Sequence, residues 1–228
     1  MSWGWSDVSK IVMPTCVQKH HEKFKPTRTG GVLIVLGPIT RNSDIYGMLG
    51  VQSNSAYLDN LKKLVMLLPE TIRKQTTIRP KNASSVGKPA RVSGQQISEI
   101  LGGVVEVDFG GVGLNETLCR NRISIVTYNE TTVPNNIMAG YPTIIFWDSK
   151  YEQLNARANK FYEQLLVAKI LHHSPESAAR HLVDIWDDVD AWWTSELVRQ
   201  AREIFGENFA RQSKFPAITV AKALVDYR

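Results

Sequence analysis

Two apolar runs with a polar turn between them restrict the folds open to this chain. Ile123-Ser124-Ile125-Val126 is short and β-branched, and Tyr141-Pro142-Thr143-Ile144-Ile145-Phe146-Trp147 is a second such run. Runs apolar on both faces suit the buried middle of a parallel sheet covered by helices on each side. Between them lies Thr127-Tyr128-Asn129-Glu130-Thr131-Thr132, followed by a short helix to about Ala139. Pro134 is tolerated there if it falls in the first helical turn. The polar turn thus sits where a strand's carboxyl end meets a helix's amino end. In open α/β sheets that is the ligand-binding position, and free backbone N–H groups there favour anions.

Other segments supply the rest of such a sheet. Gly30-Gly31 opens Val32-Leu33-Ile34-Val35-Leu36, which reads as its first strand and is closed by Gly37-Pro38. Ser55 to Leu68 reads as a helix, with Leu58, Leu61, Leu64, Val65 and Leu68 forming one stripe. Pro69 ends or kinks it, and Thr76 to Pro80 is a short second strand. Residues 82–94 have loop composition, Gln95 to Leu101 reads as a short helix, and Val104 to Phe109 alternates as a third strand. Leu114 to Asn121 is a helical turn or two.

After Trp147 the character becomes helical. Tyr151 to Ala168 places Leu154, Ala158, Phe161, Leu165 and Ala168 on one face. Ile170 to His173 reads as a brief apolar link. Ser174-Pro175-Glu176 is a helix start: a capping hydroxyl, proline at the first helical position, and an acid in the first turn. That helix is expected to run to about Asp190, and another from Thr194 to Arg211, with Leu197, Val198, Ala201, Ile204 and Phe205 inward. Trp186, Trp192 and Trp193 are expected to cement these helices to the sheet. Three regions follow: an irregular lead-in or linker over 1–29, an α/β domain with its C-terminal helices over 30–212, and a tail over 213–228.

Several chemistries lack their signature. There is no GxGxxG, no Walker GxxxxGK[ST], no GxSxG, no HExxH and no CxxC. The two cysteines, Cys16 and Cys119, have no paired spacing, which disfavours a disulfide scaffold and a zinc ribbon. His20-His21 has no third ligand at metal spacing. The acids Asp184, Asp187, Asp188 and Asp190 read as a solvated helix face. No metal and no cofactor are expected. Neither a membrane span nor a signal peptide is evident, which points to a soluble cytoplasmic protein.

The net charge of +5 is uneven: residues 1–125 carry 16 basic and 9 acidic side chains, residues 126–228 carry 11 and 13. From Lys62 to Arg91 eight cations accompany one acid, Glu70. They form either a solvated surface or a positive rim for a phosphorylated ligand. No aromatic residue interleaves them, so a nucleic-acid partner is disfavoured. Arg41 and Thr40, in the loop after the first strand, read as either an ordinary turn or a phosphate contact. Arg79 and Lys81, at the end of the second strand, read as either rim charges or a phosphate clamp. With Thr127, Asn129, Glu130, Thr131, Thr132, Asn135 and Asn136 they make up the candidate donor-binding set. Hydroxyls and amides suit ribose and sugar hydroxyls, and cations suit a diphosphate.

The order TYNETT, NNIMAGYPTIIFWD, SPESAARHLVDIWDDVDAWW and VRQAREIFGENFAR resembles the C-terminal half of a family of surface-polysaccharide transferases. Those resemble GT-B glycosyltransferases, whose active site lies between two Rossmann-like domains. The likeness spans about Gly30 to Arg211, and the Trp3-Gly4-Trp5 start looks like a linker of that family. It implies a Rossmann-like open parallel sheet with helices on both faces, followed by a helical C-terminal segment. It also implies a nucleotide-sugar donor at Thr127, Asn129, Thr131 and Thr132, with Arg79 at a strand end that carries a donor contact. The acceptor is expected to be a carbohydrate or lipid-linked, which would bring the protein beside a membrane. Since 228 residues do not hold two such domains, the acceptor-side domain is expected on a preceding segment or a partner chain. No residue is singled out as the catalytic base. Two other readings stay open: a non-catalytic nucleotide-sugar-binding module, and a small α/β enzyme of the epimerase or hydrolase kind.

Overall fold

A computed structural model describes residues 2–3, 12–13, 27–37, 39, 54–81, 94–150, 154–211, 213 and 215–226. Cys16, His20, His21, Thr40 and Arg41 lie outside the described residues. Two short parallel strands, β1 (Ser2–Trp3) and β2 (Val12–Met13), pair with each other. The main sheet comprises β3 (Gly31–Val35), β4 (Thr76–Arg79), β5 (Glu106–Val107), β6 (Asn121–Val126), β7 (Thr143–Phe146) and β8 (Leu171–His172). All six are parallel, in the order β5-β4-β3-β6-β7-β8. Counted along this sheet, that is the 3-2-1-4-5-6 order of the Rossmann fold.

Every strand of the sheet needs a crossover, and each is helical. From β3 to β4 the chain passes through α1 (Asn54–Leu67) and α2 (Glu70–Arg73), and from β4 to β5 through α3 (Gly94–Ile100). Then α4 (Leu114–Cys119), α5 (Thr132–Ala139) and α6 (Ala156–Val167) join β5 through β8 in turn. Alternate strand residues feed two cores. Val32, Ile34, Ile78, Ile123, Ile125 and Ile144 pack with Leu61, Leu64, Ile97, Ala178 and Leu182 on one face. Leu33, Val35, Val126 and Ile145 pack with Leu118, Val133, Ile137, Leu165, Val198 and Phe205 on the other. The double apolar signature of the strands is therefore a sheet buried on both sides. The glycine pair at the start of β3 has a steric cause: a Cβ on Gly31 would overlap the Gln75 carbonyl, and one on Gly30 the Arg120 carbonyl.

Beyond β8 lie α7 (Pro175–Asp184), α8 (Val189–Thr194), α9 (Glu196–Phe209) and α10 (Pro216–Asp226). Ser174 Oγ accepts from the Ser177 N–H at 3.1 Å, as the sequence predicts for that cap. Trp193 is buried and its indole donates to Gly140 O at 2.8 Å, tying α8 to the left-handed end of α5.

Four expectations change. Ile170 to His173 is not a link; it contains β8, the sixth strand, with Ile145 paired to Leu171. The expected third strand, Val104 to Phe109, shortens to Glu106–Val107. The helix from Pro175 stops at Asp184 rather than Asp190, because Asp188 caps a new helix by accepting from the Ala191 N–H at 2.9 Å. On the last long helices, Tyr162 is buried in place of Phe161, while Leu197 and Ile204 are 51% and 37% exposed. No described helix is long and apolar enough to cross a membrane.

Candidate functional site

The chain reverses direction across the sheet between β3 and β6, one running to β4 and β5, the other to β7 and β8. The crevice beyond the strand carboxyl ends at such a point is where open α/β sheets bind ligands. Register puts Val35, Arg79 and Val126 level with one another. Leu36, one residue beyond that level, and Lys81 and Tyr128, two beyond it, meet at the mouth. Val35, Leu36, Arg79, Pro80, Lys81, Gly110, Leu114, Tyr128, Thr131 and Thr132 enclose a cleft of about 330 Å³. On the far side of Thr127 the crevice narrows to about 10 Å³ between Tyr57, Asn60, Trp147 and Asp148. Among the described residues the larger space lies over β3, β4 and the start of α5.

The candidate residues divide sharply by role. Thr127 is 5% exposed, and its hydroxyl donates to Val35 O at 3.1 Å. Tyr57 OH then donates to Thr127 Oγ1 and accepts from the Gly37 N–H at 3.2 Å. Thr127 thus pins the switch point together and offers nothing outward. Asn136 is 3% exposed and donates to Ser124 Oγ at 3.1 Å beneath the helix. Asn129 Oδ1 accepts from Tyr162 OH at 2.7 Å. Asn135 Oδ1 is buried and has no partner among the described residues. Thr132 is buried and hydrogen-bonded to Tyr128 OH at 2.5 Å, whereas Thr131 is exposed at the cleft. Burial raises the phenol pKa of Tyr57 and of Tyr128, so both stay protonated.

Arg79 lines the cleft but is committed elsewhere. One guanidinium nitrogen donates to Asp108 Oδ2 at 2.5 Å and to Thr117 Oγ1 at 2.8 Å, and the other donates to Val112 O at 2.8 Å. Asp108 Oδ1 in turn accepts from the Gly110 N–H at 2.7 Å. With side chains 16% and 14% exposed, this pair fixes the β5–α4 loop as a wall. Lys81 is different. Its ammonium pairs with Glu130 and lies 5.6 Å from the centre of the Tyr128 ring. The amino end of α5, carrying Thr131 and Thr132, also faces the cleft. Its backbone dipole favours negative charge there. A small anionic group flanked by hydroxyls is what this arrangement can hold.

Sequence reasoning missed Tyr57, Tyr128, Asp108 and Tyr162. Asp108 carried one usable signal, an acid at a strand end followed by Gly110-Gly111. The tyrosines carried none, since an aromatic side chain on a helix or just past an apolar strand reads first as core.

The whole span of residues 1–224 matches the family described as LIC12162 family transferase. The chain belongs to the LIC12162 family of transferases. No curated protein matches it in sequence. Among solved structures it is similar to WaaG, a glycosyltransferase involved in lipopolysaccharide biosynthesis, at 13% identity and a TM-score of 0.46, covering 94% of this chain and 55% of that one. Similarity to the spinosyn forosaminyltransferase SpnP stands at 16% identity and 0.43, covering 95% and 50%. For the wall teichoic acid polymerase TagF the figures are 9% and 0.40, covering 90% and 45%. The LIC12162-family chain thus spans about half the length of these structures.

Proposed function

We propose that this chain is the donor-binding part of a glycosyltransferase that uses a nucleotide-activated sugar in surface carbohydrate assembly. The observation that carries the reading is the switch-point cleft, walled by Arg79–Asp108, open at Lys81 and Thr131 and facing the amino end of α5, in a chain of a transferase family. In such a reaction an acceptor hydroxyl attacks the anomeric carbon and the nucleoside diphosphate departs with the bonding electrons. Charge builds on the leaving phosphates, where an ammonium, hydroxyls and a helix amino end are stabilising. Lys81, Thr131 and α5 take that role, with no resident cofactor or metal. The acceptor is a carbohydrate or a lipid-linked one, the setting is cytoplasmic, and nucleic acid is not a partner.

A second reading has one specific observation behind it. Among the described residues, Asp108 and Glu130 are the carboxylates beside the cleft, and both are ion-paired. A base for the acceptor hydroxyl then comes from another domain or chain, and this chain alone is a nucleotide-sugar-binding module. Thermal unfolding with UDP-, GDP-, CMP- and ADP-sugars, followed by a donor-hydrolysis assay, separates the readings. A stabilising shift with hydrolysis supports the enzyme, and a shift without hydrolysis supports the module. If no nucleotide sugar shifts the transition, both are wrong.

A further inference from the structure

Among the described residues two cations line the cleft, Arg79 and Lys81, and each is paired. Arg79 spends its guanidinium on Asp108, Thr117 and Val112 O and is only 16% exposed, so withdrawing it would break three contacts of the loop wall. Among the described residues Lys81 has one charged partner, Glu130, and both side chains are partly open, 38% and 26% exposed. A pair of that exposure is weak and exchangeable. Its surroundings are not. Tyr128 is 5% exposed, its hydroxyl is held by Thr132, and its ring lies below the ammonium. Glu130 sits between Asn129, anchored on Tyr162, and Thr131, at the cleft.

We infer that Glu130 is an internal counter-ion, displaced from Lys81 by an anionic group entering the cleft. This rests on the reading above, in which that group is the diphosphate of an activated sugar. The Tyr128 ring keeps the ammonium in place while its anionic partner changes. The exchange sets a threshold. A diphosphate carries more charge than one carboxylate and adds hydroxyl and helix-end contacts, so it displaces Glu130. A neutral sugar or nucleoside gains nothing at Lys81 and leaves the pair intact. Glu130 thereby lowers affinity for every anion but raises the preference for multiply charged ones.

The test is calorimetric binding of UDP, GDP, CDP and ADP, their nucleosides, and inorganic pyrophosphate to the full chain, wild type against Glu130→Gln, Lys81→Met and the double variant. The inference expects Glu130→Gln to tighten diphosphate binding by about fivefold at low salt, with a smaller gain at physiological ionic strength. Nucleoside binding should not change. Lys81→Met should weaken diphosphate binding by about tenfold, and adding Glu130→Gln to it should restore nothing. Unchanged or weaker diphosphate binding in Glu130→Gln overturns the inference, as does tightening that persists without Lys81. If pyrophosphate alone binds with this Lys81-dependent gain, the counter-ion holds and the nucleotide reading fails. If nothing binds any variant, both fail.

Discussion

Tyr162 OH donates to Asn129 Oδ1 at 2.7 Å, so α6 holds the turn that follows β6. Tyr162 is itself fixed by edge-on contacts with Trp147 and Phe205, at centroid separations of 5.7 and 5.4 Å. The turn carrying Glu130 and Thr131 is thereby tied to the aromatic core on one side of the sheet.

Tyr162→Phe removes that hydrogen bond while keeping the ring. The expected cost is about 1 kcal/mol in urea denaturation, with nucleotide-sugar binding weakened and the fold intact. Asn129→Ala removes the same hydrogen bond from the other side and should cost about as much. Should both variants keep wild-type stability and affinity, the anchor is not functional.

Breaking the Arg79–Asp108 pair should be far more damaging than breaking an exposed one. Asp108→Ala leaves a mostly buried guanidinium without its anion and frees Gly110, for a loss on the order of 3 kcal/mol. The pair of Arg120 and Glu116 is 64% and 55% exposed, so Glu116→Ala should cost under about 1 kcal/mol. Urea unfolding of the two variants compares them directly. Similar losses would show that the loop wall does not depend on this pair.

Acid should destabilise the protein through two histidines behind the sheet. His172 and His181 are stacked at 5.2 Å, and both are almost fully buried. His172 Nε2–H donates to Lys169 O at 2.9 Å and Nδ1 accepts from Ser177 Oγ at 2.7 Å, so its neutral tautomer is satisfied. Neither nitrogen of His181 has a partner among the described residues. Burial pushes His172 down to about 4, opposed by its bond to the Lys169 carbonyl and aided by the charges of Lys169 and His173; burial pushes His181 down to about 3, aided by His172 and Lys169. The native state therefore refuses protons that the unfolded chain accepts below about 6.5. Stability is complete above that pH and is lost progressively as pH falls toward about 4 for His172 and about 3 for His181. His181→Phe keeps the edge-on contact with Trp192, removes the two buried nitrogens, and should flatten the acid limb of a thermal-midpoint profile. An unchanged acid limb would assign the loss to other groups.

Much of the fold was legible because its signals are local. The stripe from Leu58 to Leu68, the Ser174-Pro175 cap and the double apolar runs of β3, β6 and β7 each describe their own element. The sixth strand was not legible. Only Leu171 and His172 pair with β7, too few residues to show a period, and a histidine there reads as the end of an apolar run. At the site, composition located the turn but not the direction of its side chains. Thr127, Asn129 and Asn136 look like a polar shelf in sequence, yet each bonds to a partner distant in the chain: Val35 and Tyr57, Tyr162, and Ser124. Thr131, Lys81 and Glu130 remain as the accessible members, a distinction that only tertiary packing makes.

Where an activated sugar binds is measured directly by a crystal structure with a stabilising nucleotide sugar soaked in. The predicted result is density for the diphosphate over the carboxyl ends of β3 and β4, against Lys81, Thr131 and the amino end of α5. Density in the open groove between α5 and α9, lined by Arg199, Arg202 and Arg211, would contradict it, as would a switch-point cleft left empty at saturating ligand.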